Sequence, residues 1–189
     1  MSGVLDIQVS GHRWTFTLNR PDKLNALNAE LVDALLEGVR HAHAQGARLL
    51  VLRGAGKSLC AGFDLSDLEA QSEGDLVLRF IRIEQLLQAL ATSPAYTVAL
   101  AHGKVYGAGV DLFAACRRRI ASAQGMFRMP GLKFGLVLGT RRFADLVGTQ
   151  KALDILGASR PFSTDEAVQM GFVQQVLAQE DWSGVVQEC

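Results

Sequence analysis

Apolar and other residues alternate at the start of the chain: Leu5, Ile7 and Val9, then Trp14, Phe16 and Leu18. Ser10-Gly11-His12 lies between the two runs, so the pattern predicts two antiparallel strands joined by a turn. Pro21 ends the second strand, because proline has no N–H to give to a ladder. The period then changes. Leu31, Ala34, Leu35, Gly38, Val39 and Ala42 fall at helical spacing behind Asn28, a good N-cap, and predict an amphipathic helix closing near Gly46. Leu49, Leu50, Val51 and Leu52 form a continuous apolar run, which suits a strand buried on both faces. A second helix is expected over residues 75–91 and another buried strand over 96–101. A glycine-rich turn from Gly103 to Gly109 then leads into a short helix carrying Asp111 to Ala115. A strand over 119–122 and helices over 140–147 and 150–156 follow. Ser163 and Glu166 have capping-box spacing before Ala167, Val168 and Met170, with Gly171 as the stop. The mixture of strands and helices, without a linker, predicts one α/β domain over residues 1–189.

Composition narrows the function classes. A chain of 189 residues that is 49% hydrophobic and 20% charged can bury a sizeable core, which argues against disorder. Nineteen basic and nineteen acidic residues cancel, leaving no global field to hold nucleic acid. The densest basic run, Arg117-Arg118-Arg119, reads as a solvated helix end. The three cysteines, Cys60, Cys116 and Cys189, show neither a CxxC pair nor metal spacing, which fits free thiols in a reducing compartment. Residues 1–7 lack the basic and apolar regions of a secretory signal, and no apolar run is long enough to span a bilayer. The expected setting is cytoplasmic, with neither a membrane nor a nucleic acid as partner. His41 and His43, two apart on a helix, point in different directions and do not make a metal site. His12 falls in a turn, and His102 reads as structural.

Three segments invite a chemical reading. Gly54-Ala55-Gly56-Lys57-Ser58 is similar to the tail of a phosphate-binding loop, but Val51 stands where that motif needs its first glycine. A turn with an exposed Lys57 is the better reading. Cys60-Ala61-Gly62-Phe63-Asp64-Leu65 and His102-Gly103-Lys104-Val105-Tyr106-Gly107-Ala108-Gly109-Val110-Asp111 each place small residues between a buried strand and an expected helix. Small side chains let a ligand approach the backbone, and a helix start offers unpaired N–H groups. Two such segments facing each other could hold one developing oxyanion. Either alone is better read as an ordinary tight turn with glycines chosen for packing.

Asn19-Arg20-Pro21-Asp22-Lys23-Leu24-Asn25-Ala26-Leu27-Asn28 resembles the opening signature of the enoyl-CoA hydratase/isomerase (crotonase) superfamily. Cys60 to Leu65 resembles its first oxyanion loop, Tyr106 to Asp111 its second, and Gly139-Thr140-Arg141-Arg142-Phe143 a later helix-start signature. The four occur in the family's order and spacing, and the resemblance runs from about residue 5 to 176. It implies a spiral of repeated ββα units, assembled as a homotrimer or hexamer. It also implies an acyl-CoA thioester as ligand and no separate cofactor, because coenzyme A is part of the substrate. By position, the Phe63 and Ala108 N–H groups would be the oxyanion donors, flanked by Gly62 and Gly107. Lys23, Leu24, Ala61, Asp64 and Leu65 match positions along the CoA path, and Phe63 is placed to shape the acyl pocket.

The match breaks in three places. Asp111 falls where the hydratases carry the first of two glutamates, and it is one methylene shorter. As a residue near a helix start it is expected to favour the ionised form. The second glutamate position, after Pro130, is Gly131, so two-glutamate hydration is not expected, and a one-base proton transfer needs fewer groups. Asp67 and Glu69 are possible substitutes. Family members continue into further C-terminal helices, so the resemblance implies a shortened C-terminal helical region. The readings left open are a hydratase or isomerase using Asp111, a non-catalytic acyl-CoA binder, and a thioesterase or decarboxylase on the same oxyanion hole.

Overall fold

The computed structural model describes residues 3–66 and 68–188. β1 (Leu5–Ser10) and β2 (Arg13–Leu18) form the expected antiparallel hairpin. The alternation buries only one of them: Trp14, Phe16 and Leu18 face the core, whereas Ile7 and Val9 stay exposed on the edge strand. α1 (Ala29–Ala44) begins where Asn28 Oδ1 accepts the Leu31 N–H at 3.0 Å. It buries Leu31, Leu35, Leu36 and Val39. β3 (Leu49–Gly54) follows, parallel to β2. α2 (Glu73–Ala91) starts earlier than its apolar spacing indicates, because Ser72 and Asp75 close a reciprocal capping box ahead of it.

β4 (Tyr96–Ala101) occupies the expected residues. The segment after it is more than a turn. It holds a short strand, β5 (Lys104–Tyr106), and α3 (Ala108–Ala114) starts three residues before Asp111. Gly107, with φ 49° and ψ −121°, reverses the chain, and its carbonyl accepts the N–H groups of both Val110 and Asp111. β6 (Arg118–Ala121) and β7 (Met126–Arg128) come next, then α4 (Thr140–Val147), α5 (Thr149–Ala158) and β8 (Pro161–Ser163). α6 (Thr164–Gln169), β9 (Gln175–Val176) and α7 (Trp182–Glu188) complete the described chain. Only half of the capping box expected at α6 forms. Ser163 Oγ accepts the Glu166 N–H, but the Glu166 carboxylate turns to Arg160 at 2.6 Å.

The strands make a six-stranded sheet in the order β1-β2-β3-β4-β6-β9 and a three-stranded sheet in the order β5-β7-β8. β4 and β6 each hand the chain on to a strand of the smaller sheet, β5 and β7 respectively. The chain after β3 does the same through a single bridge from Cys60 to Val105. This stepwise advance is the spiral of ββα units. β3, β4 and β6 are covered on both faces. A large core packs under α1, α2 and α3, and Leu49, Val51, Val98, Leu100 and Ile120 pack with Trp182 and Val186 of α7 on the other side. That two-sided burial explains their unbroken apolar runs.

The basic run is not a solvated helix end. Arg117 is exposed, but Arg119 is buried inside β6, where its guanidinium donates to the Phe172 and Cys116 carbonyls at 2.8 and 2.9 Å. Its guanidinium thus joins the segments that follow α3 and α6, a need that periodicity does not register.

Candidate functional site

The two small-residue segments meet. In the parallel bridge between Leu27 and Phe63, the Leu27 N–H donates to Gly62 O at 2.7 Å and the Asp64 N–H to Leu27 O at 3.0 Å. The Phe63 N–H therefore lies on the opposite side. Neither it nor the Ala108 N–H has a partner among the described residues. Gly62 permits the approach. Its φ is +94°, and a Cβ there would sit 2.5 Å from Tyr106 O and 3.4 Å from Ala108 N. On the other segment, the Tyr106 N–H donates to Cys60 O and the Gly107 N–H to Arg128 O, so β7 fixes the turn before Ala108. Behind α3, Phe113 packs against Phe127 and Phe172 with ring centroids 5.5 and 5.3 Å apart. The expected similarity of the two segments is incomplete. Ala108 opens a helix, but Phe63 is held by a bridge, and a 3-10 turn at Leu68–Ala70 separates it from α2.

A cavity of about 350 Å³ opens where these segments join. Phe63, Leu65, Phe80, Ile83, Leu136 and Leu138 are among its apolar walls, and the small residues Ala61, Gly62, Gly107 and Ala108 line it as well. Asp111 and Thr140 supply its only polar side chains among the described lining residues. Gly131 also lines it, and a Cβ at that position would meet Leu136 O at 3.0 Å. The second acidic position is thus occupied by an apolar loop that folds back on itself. Glu69 is exposed and outside the lining, and Asp67 lies outside the described residues.

Asp111 is 4% exposed, and its Oδ1 has no hydrogen-bond partner. Burial pushes its pKa up to about 7; nearby Arg142 opposes the shift and Glu84 adds to it. Desolvation therefore outweighs any gain from standing near a helix start, contrary to the expectation that this carboxyl is ionised. The carboxyl fits because residue 139 is glycine: a Cβ there would collide with it. Arg142 and Glu84 pair at 2.7 and 3.1 Å, joining α4 to α2 beside the cavity.

The remaining site residues separate. Ala61, Gly62 and Leu65 line the cavity. Lys23 is exposed, and neither it nor Leu24 lines the cavity; the Leu24 carbonyl accepts the Ala61 N–H at 2.9 Å. Asp64 turns inward. Burial raises its pKa, but the Ser66 hydroxyl and N–H and the Arg20 guanidinium at 2.7 Å hold it down at about 2. It staples the opening signature to the first loop. Cys60 and Cys116 are buried, and burial pushes each thiol up to about 12, so neither is a nucleophile at neutral pH. Cys189 lies outside the described residues. His102 Nε2 meets the Gly56 carbonyl at 2.9 Å and His43 Nε2 meets Ser93 Oγ at 2.8 Å. Among the described residues, no three His, Cys, Asp or Glu side chains converge as a metal site, and no helix is long and apolar enough to cross a membrane.

The family model for enoyl-CoA hydratase/isomerase matches residues 14–188. The chain belongs to this family. A Mycobacterium tuberculosis relative named as an enoyl-CoA hydratase is 34% identical over 166 residues, which cover 86% of this chain and 66% of the relative. The ethylmalonyl-CoA decarboxylase of Mus musculus is 30% identical over 172 residues, covering 87% of this chain and 53% of that one. The chain thus spans between about half and two thirds of the length of these two relatives. A crystal structure from Bordetella parapertussis, assigned to the enoyl-CoA hydratase/isomerase group, superposes with a TM-score of 0.98 at 57% identity, covering 99% of this chain and 78% of that chain. The enoyl-CoA hydratase of Mycobacterium smegmatis superposes at 0.90 with 28% identity, covering 99% of this chain and 76% of its own.

Proposed function

We propose that this family member binds an acyl-CoA thioester with its carbonyl between the Phe63 and Ala108 N–H groups, and that Asp111 moves a proton at the acyl chain. The observation that carries this reading is the Asp111 carboxyl. It is buried, unpartnered at Oδ1, held near pKa 7, and lines one cavity with Phe63 and Ala108. Two backbone donors polarise the thioester carbonyl and take up the enolate charge as the α-proton leaves. Asp111, near equal populations of acid and base at neutral pH, accepts that proton and returns it to the α or γ carbon. With Gly131 in place of a second carboxylate, double-bond migration fits better than addition of water. The apolar walls suit a hydrocarbon acyl chain, and Lys23 and Leu24 flank the CoA path. A homotrimer or hexamer working in the cytoplasm completes the proposal.

A second reading has its own support. Loss of carbon dioxide from a 2-carboxyacyl-CoA leaves an enolate that needs only the two N–H donors and one proton. A half-protonated Asp111 can give it, and one relative is named a decarboxylase. A panel of 2-enoyl-, 3-enoyl- and 2-carboxyacyl-CoA substrates separates the readings, with free thiol release marking hydrolysis. The expected outcome is turnover of a 3-enoyl substrate that falls roughly 10²–10⁴-fold in Asp111→Asn. Coenzyme A binding without turnover of any thioester would make the protein a binder only.

A further inference from the structure

We propose that Arg79 is a positioning residue, which holds the Phe63 N–H in the orientation an oxyanion requires. The inference rests on the reading of Phe63 as a donor. Arg79 stands on α2 and is 6% exposed, a costly place for a guanidinium. Its Nη2 donates to Asp64 O at 2.9 Å and to Leu27 O at 3.1 Å. Its Nη1 donates to Gln71 Oε1 at 2.9 Å. Asp64 is the residue after Phe63, and Leu27 is its partner across the bridge. One planar fork therefore grips the chain beside Phe63 and the strand that supports it. The same guanidinium lies 3.8 Å from the centroid of the Phe63 ring, and that ring stacks on Phe80 at 4.8 Å. Backbone and side chain of Phe63 are thus both tied to α2 through consecutive residues.

The loop needs such a tie. Phe63 belongs to no ladder beyond its single bridge, and Leu65 and Ser66 beyond it are exposed. An N–H stabilises an oxyanion only while it stays aimed, and a misplacement of about 1 Å can cost on the order of 10²-fold in rate. A lysine keeps the charge but cannot reproduce the fork or lie flat on the ring.

Arg79→Lys and Arg79→Met in the full chain test this with three readouts. They are kcat and KM on the thioester that the wild type turns over, absorbance of the acetoacetyl-CoA enolate on binding, and 15N relaxation of residues 61–65. The expected result for Arg79→Lys is a fall of about 10–100-fold in kcat with KM nearly unchanged. The enolate absorbance should be lost while acetoacetyl-CoA still binds. Order parameters of the loop amides should drop from about 0.85 to below about 0.6. An unchanged kcat, or equal losses in kcat and binding with a loop as rigid as the wild type, overturns it. If the wild type itself neither turns over thioesters nor forms the enolate, the functional reading fails, and the loop amides still decide the role of Arg79. Rigid amides in both variants would reject it.

Discussion

In the proposed reaction Asp111 is the acid/base, and its buried environment fixes how the protein responds to pH. Its pKa in the fold, about 7, lies well above that of an unfolded aspartate, so the native state holds the proton more tightly. The stabilising difference is fully present below the unfolded pKa near 4 and is lost as pH rises through about 7, where the buried charge must form. Asp111→Asn removes that penalty. Chemical denaturation should find the variant more stable than the wild type at pH 8, by on the order of a few kcal/mol, with the gap closing at pH 4. Gly139 is the complementary position. A methyl group there meets the carboxyl, so Gly139→Ala should cost roughly 1–3 kcal/mol by overpacking and lower kcat as well. The sequence makes Asp111 visible through its register with Ala108, but it hides the carboxyl's protonation. That state depends on walls contributed by α2, α4 and the 131–138 loop.

At the scale of elements, α2 and α4 meet across the Glu84–Arg142 pair. Both side chains are partly exposed, at 32% and 25%, so solvent screens the pair and its net contribution to stability is small. Its effect on Asp111 is the more readable one. Arg142 lowers the Asp111 pKa and Glu84 raises it. Arg142→Met should move the midpoint of the pH–rate profile upward, and Glu84→Gln should move it downward, with little change in melting temperature. Most elements were legible before the structure: the hairpin, α1 with its Asn28 cap, β3 and β4 all carry a local period or capping signal. β5, β7 and β8 were not legible. Each is three residues long, too short to show a period, and each exists because the spiral brings a partner alongside. Arg79 escaped for a related reason. A buried arginine in an amphipathic helix looks like a solvated one until the carbonyls it serves come into view.

At the scale of the whole molecule, the spiral brings residues 61–63, 107–111 and 131–140 to one cavity, although they lie far apart in sequence. The family resemblance pointed to Phe63 and Ala108, which both line the cavity, but the apolar walls and the folded-back loop at Gly131 emerge only from the tertiary arrangement. Those walls predict a trend. Each methylene added to a straight acyl chain should raise kcat/KM about fourfold, the equivalent of about 0.8 kcal/mol, until the cavity is full, after which the gain stops. A series of thioesters of increasing length measures it. The central claim, an acyl-CoA enolate served by Asp111, is tested most directly by deuterium exchange at the α carbon. A saturated acyl-CoA incubated with the protein in deuterated buffer is followed by mass spectrometry. The account predicts label at the α carbon with the wild type and a large loss of exchange in Asp111→Asn, although coenzyme A still binds. Exchange at the same rate in both proteins, or none in either while the thioester is bound, would contradict it.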